Sequence, residues 1–161
     1  MKCLRCGRWM KTSREDYGYS ESGLPNVTLL DVEVSRCPGC GEREVAIPRI
    51  GELHRVIAQS VARQVCRLSP AEIRFLREYL QWSAAEFAKH MGVTAETVSR
   101  WENGAAAMGG VAERLLRLMA LTRPPARDDS LDLMKEVAKK KAVPHRLKLR
   151  ATRTGWSLVA A

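Results

Sequence analysis

Four of the five cysteines fall into two pairs with the spacing of metal-binding turns. Cys3 and Cys6 form the first pair, Cys37 and Cys40 form the second, and a glycine follows each pair directly. Two such turns aim four thiolates at one ion, and a tetrahedral set of sulfurs is typical of a closed structural zinc site. The sequence therefore predicts one structural Zn²⁺ per chain, with redox C-x-x-C pairs or uncoordinated thiols as the alternatives.

The other candidate reactive groups favour no catalytic chemistry. Cys66, the fifth cysteine, ends an amphipathic stretch and is expected to be a small buried hydrophobic residue rather than a reactive thiol. The three histidines, His54, His90 and His145, are scattered, and His54 is expected on a helix surface apart from the metal. The sequence shows no nucleophile paired with a base and no glycine loop for phosphate, so we expect no enzymatic activity.

A second group of polar side chains lies in a segment that predicts two short helices joined by a turn containing glycine. Ser83 begins a capping box for the first helix, residues 84–91; Gly92 ends that helix, and Thr94 caps the second, residues 95–102. This arrangement is a helix-turn-helix, whose second helix fits a DNA major groove about 12 Å wide. The residues that we expect to contact DNA are Thr94, Glu96, Thr97, Ser99, Arg100 and Asn103.

The opposite side of this second helix is apolar. Val98 and Trp101 fall at helical spacing and are expected to pack back on Phe87, so Trp101 is interpreted as a core residue rather than a platform for stacked bases. Arg100 has a simpler alternative as an ordinary solvated charge of the helix. The helix is therefore predicted to be anchored through its apolar side and to present its polar side to DNA.

Residues 85–104, with the sequence AEFAKHMGVTAETVSRWENG, resemble the Cro/repressor-type, or XRE-family, helix-turn-helix signature. Together with the two cysteine pairs, the arrangement over residues 1–121 is similar to the MqsA antitoxins, in which a YgiT-type zinc finger precedes an XRE domain. The resemblance implies a homodimer that binds a palindromic operator in double-stranded DNA, usually its own promoter, while the zinc domain is available to a toxin.

The same resemblance implies roles for individual residues. In the family an Asn and an Arg of the recognition helix read bases; Arg100 matches the Arg, whereas Glu96 stands where the Asn is expected. The resemblance also implies that Glu102 pairs with an Arg of the first helix of the domain, for which Arg77 is the best candidate. Glu96 could accept a hydrogen bond from a cytosine amino group, but its charge would repel phosphates, so we do not expect the operator sequence of the family.

The leading hypothesis is a sequence-specific transcriptional repressor that acts as the zinc-containing antitoxin of a type II toxin–antitoxin system. The alternative is a free-standing regulator, or an adaptor whose zinc domain neutralises another protein. A short neighbouring gene that encodes a basic, ribonuclease-like protein would favour the antitoxin.

The chain is basic, and the excess of positive charge is concentrated at its end. Residues 123–161 carry 10 basic and 4 acidic side chains and so supply +6 of the formal charge of +9. Such an excess favours polyanionic partners, and charge alone would suit RNA, DNA or an anionic membrane equally. The apolar runs are too short to span a membrane and Met1 is not followed by an export signal, so we expect a cytoplasmic protein that does not enter membranes.

The periodicity of the chain predicts a mainly α protein of two small domains and a tail. Residues 1–66 are expected to form a small α+β, zinc-ribbon-like domain that ends in a linking helix. Residues 67–122 are expected to form an all-α, lambda-repressor-like helix-turn-helix domain, and residues 123–161 a basic extension.

Strands are predicted where apolar and polar residues alternate, and helices where apolar residues recur at helical spacing. The predicted strands are residues 27–35, with Leu30, Val32 and Val34 on the buried face, and residues 44–47. The further predicted helices are residues 52–66, a helix that begins at Ser69-Pro70, residues 111–121 and residues 130–142, with a linker over 122–129 and no clear period over 143–161.

A homodimer is expected because a single helix-turn-helix reads few base pairs, and two-fold operators mirror two-fold proteins. The most apolar candidate for the dimer surface is the predicted helix 111–121, through Leu115, Leu116, Leu118 and Met119. The cations of the tail either contact phosphates without regard to sequence or form a solvated extension.

Overall fold

The computed structural model describes residues 1–122 and, of the rest of the chain, the backbone of two strands. In order, the elements are β1 (Lys11–Gly18), a 3₁₀ turn (Ser20–Ser22), β2 (Thr28–Arg36), β3 (Arg43–Ala46), α1 (Ile50–Arg63), α2 (Pro70–Tyr79), α3 (Ala84–Met91), α4 (Ala95–Glu102), α5 (Gly110–Thr122), β4 (Lys148–Thr152) and β5 (Gly155–Val159). A three-stranded sheet beside the cysteines, followed by five helices, confirms the predicted fold class. None of the described helices is both long and apolar enough to cross a membrane.

The strands β1, β2 and β3 form one antiparallel sheet in that order. Strand β1 was not predicted, because it is largely polar and Tyr17 is its one buried side chain. The two predicted strands are observed as β2 and β3, and each lies within one residue of its expected limits. A polar strand gives little alternation, so its pairing with β2 could not be inferred from its own residues.

A β-bulge interrupts the pairing of β1 with β2. Glu15 pairs with Val32 and Tyr17 pairs with Leu29, so Leu30 and Asp31 together face Asp16. Asp31 has a φ of 52°, and the side chain of the exposed Arg14 bonds to its carboxylate at 2.9 Å. The extra residue turns Leu30 to solvent, which makes the prediction that Leu30 is buried wrong, because strict alternation holds only without a bulge.

Helix α1 packs its apolar side against α2 and α5. The helix was predicted to reach Cys66 but ends three residues earlier, because Gln64 adopts an extended conformation. The chain therefore turns Val65 and Cys66 outward, and the expectation that Cys66 is buried is wrong. The buried residues of the helix are Ile57, Ala58, Val61 and Ala62.

His54 also departs from its expected place on the surface of this helix. It is half-buried, and its Nε2 lies 2.8 Å from the hydroxyl oxygen of the buried Tyr19. Its ring also meets the edge of Phe75 on α2, with the ring centroids 6.2 Å apart. The two contacts explain its burial, since they close the space between the sheet, α1 and α2.

Capping chemistry sets the starts of α2, α3 and α4 and the end of α3. Ser69 and Ser83 each form a complete capping box with the Glu three residues on, and Gly92 ends α3 in the left-handed conformation. These observations confirm the predicted helix limits. The largest fully buried side chains of the bundle are Phe87, Leu76, Leu116 and Val98.

A buried polar network joins α5 to the segment between α1 and α2. The carboxylate of Glu113 accepts hydrogen bonds from Arg67, from Arg117 at 2.7 Å and from the N–H of Leu68 at 3.2 Å. Arg117 in turn donates to the backbone carbonyls of Ala62, Gln64 and Cys66. The network satisfies carbonyls at the end of α1 that have no partner within the helix.

Beyond α5 the structure corrects one expectation. The strands β4 and β5 pair as an antiparallel hairpin in a separate compact unit, whereas the sequence analysis found no period there. The two residues between the strands, Arg153 and Thr154, include neither the Gly nor the Asn that usually marks a hairpin turn. The helix predicted over 130–142 and the linker beyond Thr122 lie outside the described residues, and the domain limit after residue 66 stays a prediction.

Candidate functional site

The four predicted cysteine ligands come together at one end of the sheet. The first pair precedes β1, the second follows β2, and Lys11 at the start of β1 pairs with Arg36 at the end of β2. Antiparallel pairing therefore places the two turns side by side. The Sγ atoms of Cys3, Cys6, Cys37 and Cys40 all lie within 4.8 Å of one another.

The two cysteine turns repeat one backbone geometry. In the first, the N–H of Cys3 donates to the carbonyl of Arg8 at 2.8 Å, and Gly7 donates to the carbonyl of Cys3 at 2.9 Å. In the second, Gly41 donates to the carbonyl of Cys37 at 3.0 Å. Gly7 and Gly41 have φ angles of 72° and 74°, which L side chains rarely adopt. The glycine after each pair is thus required by the turn that aims the sulfurs.

The sulfurs lie nearly as close together as the ligands of one metal ion. Cys3 and Cys40 are 3.6 Å apart at Sγ, and Cys6 and Cys37 are 3.3 Å apart, whereas tetrahedral bonds of 2.3 Å imply roughly 3.8 Å. The N–H of Gly39 bonds to the sulfur of Cys37 and lowers the pKa of that thiol to about 6. The pKa of Cys40 rises to about 12, because burial and the neighbouring sulfurs outweigh the N–H of Glu42. A bound cation offsets the repulsion between neighbouring thiolates. The cluster could therefore hold a metal ion.

The residues expected to contact DNA lie on one side of α4. The hydroxyl of Thr94 accepts the N–H of Thr97 at 3.2 Å and so fixes the start of the helix. Thr94, Glu96, Ser99, Arg100 and Asn103 are exposed, and Thr97 is half-buried. Five of the six residues are therefore accessible to a ligand and Thr97 is accessible in part, and their contact with DNA stays a prediction.

The apolar side of α4 is buried as predicted. Val98 is fully buried, and Trp101 meets the edge of Phe87 with ring centroids 6.3 Å apart. The interpretation of Trp101 as a core residue is confirmed. These contacts orient α4, since a helix fixed on its apolar side can present only the opposite side to a ligand.

A buried ion pair ties the end of α4 to α2. Nε of Arg77 donates to Oε1 of Glu102 at 2.6 Å, which confirms the pairing expected from the resemblance. The sequence analysis missed Arg74, whose Nε lies 3.3 Å from Oε2 of the same carboxylate. Arg74 precedes Arg77 by three residues on α2, and that spacing is the signal that could have found it.

The exposed polar residues of α4 are bonded to one another. Nη2 of Arg100 lies 2.6 Å from Oε1 of Glu96, one helical turn earlier. Farther along, Nδ2 of Asn103 donates to the hydroxyl of Ser99 at 3.2 Å, and its Oδ1 accepts from Arg74 at 3.4 Å. These pairings were not predicted from the sequence, and they are present in the structure without any ligand.

Large apolar side chains are exposed around the first cysteine turn, a feature that the sequence analysis did not note. The exposed fractions of Met1, Leu4 and Trp9 are 58%, 92% and 69%. The ammonium group of Lys2 lies 5.5 Å from the centre of the Trp9 ring. We call Met1, Leu4 and Trp9 the N-terminal apolar surface. The sequence could have predicted this exposure, because these apolar residues lie between and beside the metal ligands. A small zinc-ribbon-like domain has no core there that could cover them.

Residues 71–128 match the family model described as a helix-turn-helix domain. The match includes α3 and α4, the two short helices that the turn at Gly92 joins. The chain matches no curated protein. The chain therefore contains a DNA-binding domain of the helix-turn-helix type, and the narrower resemblance to MqsA antitoxins stays a hypothesis.

Proposed function

We propose that the protein is a transcriptional repressor that binds a palindromic operator as a homodimer in the cytoplasm and has no enzymatic activity. The observation that carries the proposal is the exposed polar side of α4, which lies within a matched helix-turn-helix domain. Its residues offer donors and acceptors to base edges while Val98 and Trp101 anchor the helix. A repressor acts by occupying the promoter, and DNA binding by this domain is sufficient for that.

We assign the sulfur cluster to one structural Zn²⁺ per chain. Four thiolates fill all the positions of a tetrahedral ion, so no position is left for a water molecule or a substrate. When bound, the ion would supply a rigid link between the two cysteine turns. The residues of the chain supply the rest, because Gly7 and Gly41 fix the turns and the β1–β2 pairing holds them together.

The proposed dimer is supported by apolar side chains on α5. Val111, Leu115 and Leu118 have exposed fractions of 80%, 36% and 57% and recur at helical spacing. The earlier candidate surface also included Leu116, which is fully buried in the core and is therefore not available to a partner. A second copy that paired through α5 would place two recognition helices on a two-fold operator.

The test is a band-shift titration of the zinc-loaded protein on the DNA upstream of its own gene. Arg100→Ala should weaken specific binding by on the order of 10- to 100-fold, because Arg100 is an exposed cation on the polar side of α4. Arg63→Ala is the matched control, since it removes the same charge from an exposed position on α1. Specific binding of unchanged affinity in Arg100→Ala, or no specific binding by the wild type, would overturn the proposal.

A second function, binding of a protein partner, is favoured by the N-terminal apolar surface. Exposed apolar side chains of this size commonly mark protein interaction sites. In the antitoxin hypothesis the partner is a basic, ribonuclease-like toxin encoded next to this chain. Coexpression should relieve the growth arrest caused by such a toxin, and Trp9→Ser should remove the relief without affecting zinc content. Full relief by the variant would exclude this surface.

A further inference from the structure

Glu96 and Arg100 form an ion pair on the side of α4 that faces away from the core. Nη2 of Arg100 is 2.6 Å from Oε1 of Glu96, and 61% and 73% of the two side chains stay exposed. The residues are four apart and so occupy one face of the helix. A groove that admits α4 would therefore meet the two side chains together, as one donor and acceptor unit.

The pair alters what each side chain can do near DNA. A carboxylate alone would be repelled by the phosphates, but Arg100 offsets that charge at hydrogen-bond distance. The pair is exposed, so its own stability is small and rearrangement toward bases costs little. Arg100 keeps further N–H groups beyond the one that is given to Glu96, and these can bond to a base at the same time.

The chemistry of the pair matches guanine and cytosine. Guanine offers two acceptors, O6 and N7, to an arginine, whereas cytosine offers the N4 donor to a carboxylate. Adenine also has an amino donor, but its N7 acceptor would face the carboxylate, and thymine offers only an acceptor and a methyl group. Because the two side chains touch, the guanine and the cytosine must lie close together, and a cytosine in the neighbouring base pair is the one that Glu96 can select independently of Arg100.

We propose that Glu96 is a specificity-determining residue that selects a cytosine beside the guanine bound by Arg100. This inference rests on the DNA-binding function proposed above. Selection by Glu96 is largely by exclusion, since a group that only accepts hydrogen bonds rejects base edges that also accept. The operator half-site is thus expected to contain a cytosine beside this guanine. An Asn at position 96 would not require that cytosine.

The experiment is a selection of binding sites from randomised DNA by the full-length, zinc-loaded wild type and by Glu96→Gln. Glutamine pairs with N6 and N7 of adenine, so it should convert the cytosine preference to adenine at that one position. In titrations, the wild type should bind the cytosine probe on the order of 10-fold more tightly than the adenine probe, and Glu96→Gln should reverse the order. Glu78→Gln, at an exposed position on α2, is the control and should keep the wild-type preference.

The outcomes separate this inference from the proposed function. A wild-type protein that enriches no sequence overturns the repressor function and this inference with it. A wild type that enriches an operator whose base preferences are the same with Glu96→Gln overturns the inference alone. A change confined to one position, next to the guanine that Arg100→Ala no longer selects, supports it. Glu96 is exposed, so the thermal unfolding of the variant should match that of the wild type.

Discussion

Arg77 and Glu102 join α2 to the end of the recognition helix through a hydrogen bond of 2.6 Å between Nε and Oε1. Only 11% and 7% of their side chains are exposed, so each charge depends on the other for compensation. The same bond raises the pKa of Arg77, because the bonded carboxylate favours the charged guanidinium. The pair therefore ties the end of α4 to α2.

Arg77→Ala should lower the free energy of unfolding by about 3 kcal/mol, because it leaves a buried carboxylate with Arg74 as its remaining guanidinium partner. Urea unfolding of the zinc-loaded protein, followed by circular dichroism, measures the change. Glu78→Ala is the control: it removes the exposed partner of the same arginine and should cost less than about 1 kcal/mol. Equal losses in the two variants would contradict the assignment of a buried structural pair.

The stability of the protein should depend on the ionisation of Glu113. Burial raises the pKa of this carboxyl, but hydrogen bonds from Arg117, Leu68 and Arg67 outweigh it and lower the pKa below its ordinary value of 4.5. A group with a lowered native pKa stabilises the fold above its unfolded pKa, and that stabilisation is lost as the pH falls through the native pKa.

Unfolding of the wild type and of Glu113→Gln should be compared at several pH values from about 6 to about 3. We expect the difference in the free energy of unfolding between the two proteins to shrink as the pH falls, because the wild-type carboxylate becomes protonated. The metal site is the same in both proteins, so its own response to acid cancels in the difference. A difference that stays constant with pH would mean that Glu113 has the same pKa in the folded and the unfolded protein, which would contradict the lowered pKa.

The sequence predicted those parts of the fold and the site that depend on neighbouring residues. The helix limits at Ser83, Gly92 and Thr94 follow from capping chemistry. The two cysteine turns are predicted by the spacing of the four cysteines and by the glycine after each pair. The division of α4 into a polar and a buried side follows in the same way, because helical periodicity separates Val98 and Trp101 from the polar residues.

The parts that the sequence did not predict depend on contacts between distant residues. The polar strand β1 exists because it pairs with β2, and the bulge opposite Asp16 that exposes Leu30 is a property of that pair. The side chain of Arg117 stabilises the chain where it leaves α1, because it donates hydrogen bonds to the carbonyls around Gln64. The two residues are 53 positions apart in the sequence. Such contacts leave no local pattern, and Cys66 was therefore placed wrongly.

The metal should account for much of the stability of the sheet. Cys37→Ser removes one of the four ligands and should abolish stoichiometric zinc binding, with loss of sheet signal in circular dichroism, because so small a sheet has little core of its own. Cys66→Ser is the matched control, since Cys66 is exposed and is not one of the four clustered sulfurs. It should retain one zinc ion per chain. Retention of full zinc by Cys37→Ser would rule out the four-cysteine site.

The pair of Glu96 and Arg100 should show coupling in a double-mutant cycle on the operator. Arg100→Ala removes a guanine contact, for which about 1–3 kcal/mol of binding free energy is expected, and it also leaves the charge of Glu96 uncompensated beside the phosphates. Glu96→Ala removes that repulsion, so the double variant should lose less binding free energy than the sum of the single losses. On DNA of unrelated sequence, Glu96→Ala alone should bind more tightly than the wild type, because it removes a negative charge from the groove-facing surface. Additive losses on the operator, with unchanged binding to unrelated DNA, would mean that the two side chains separate when the complex forms and act independently.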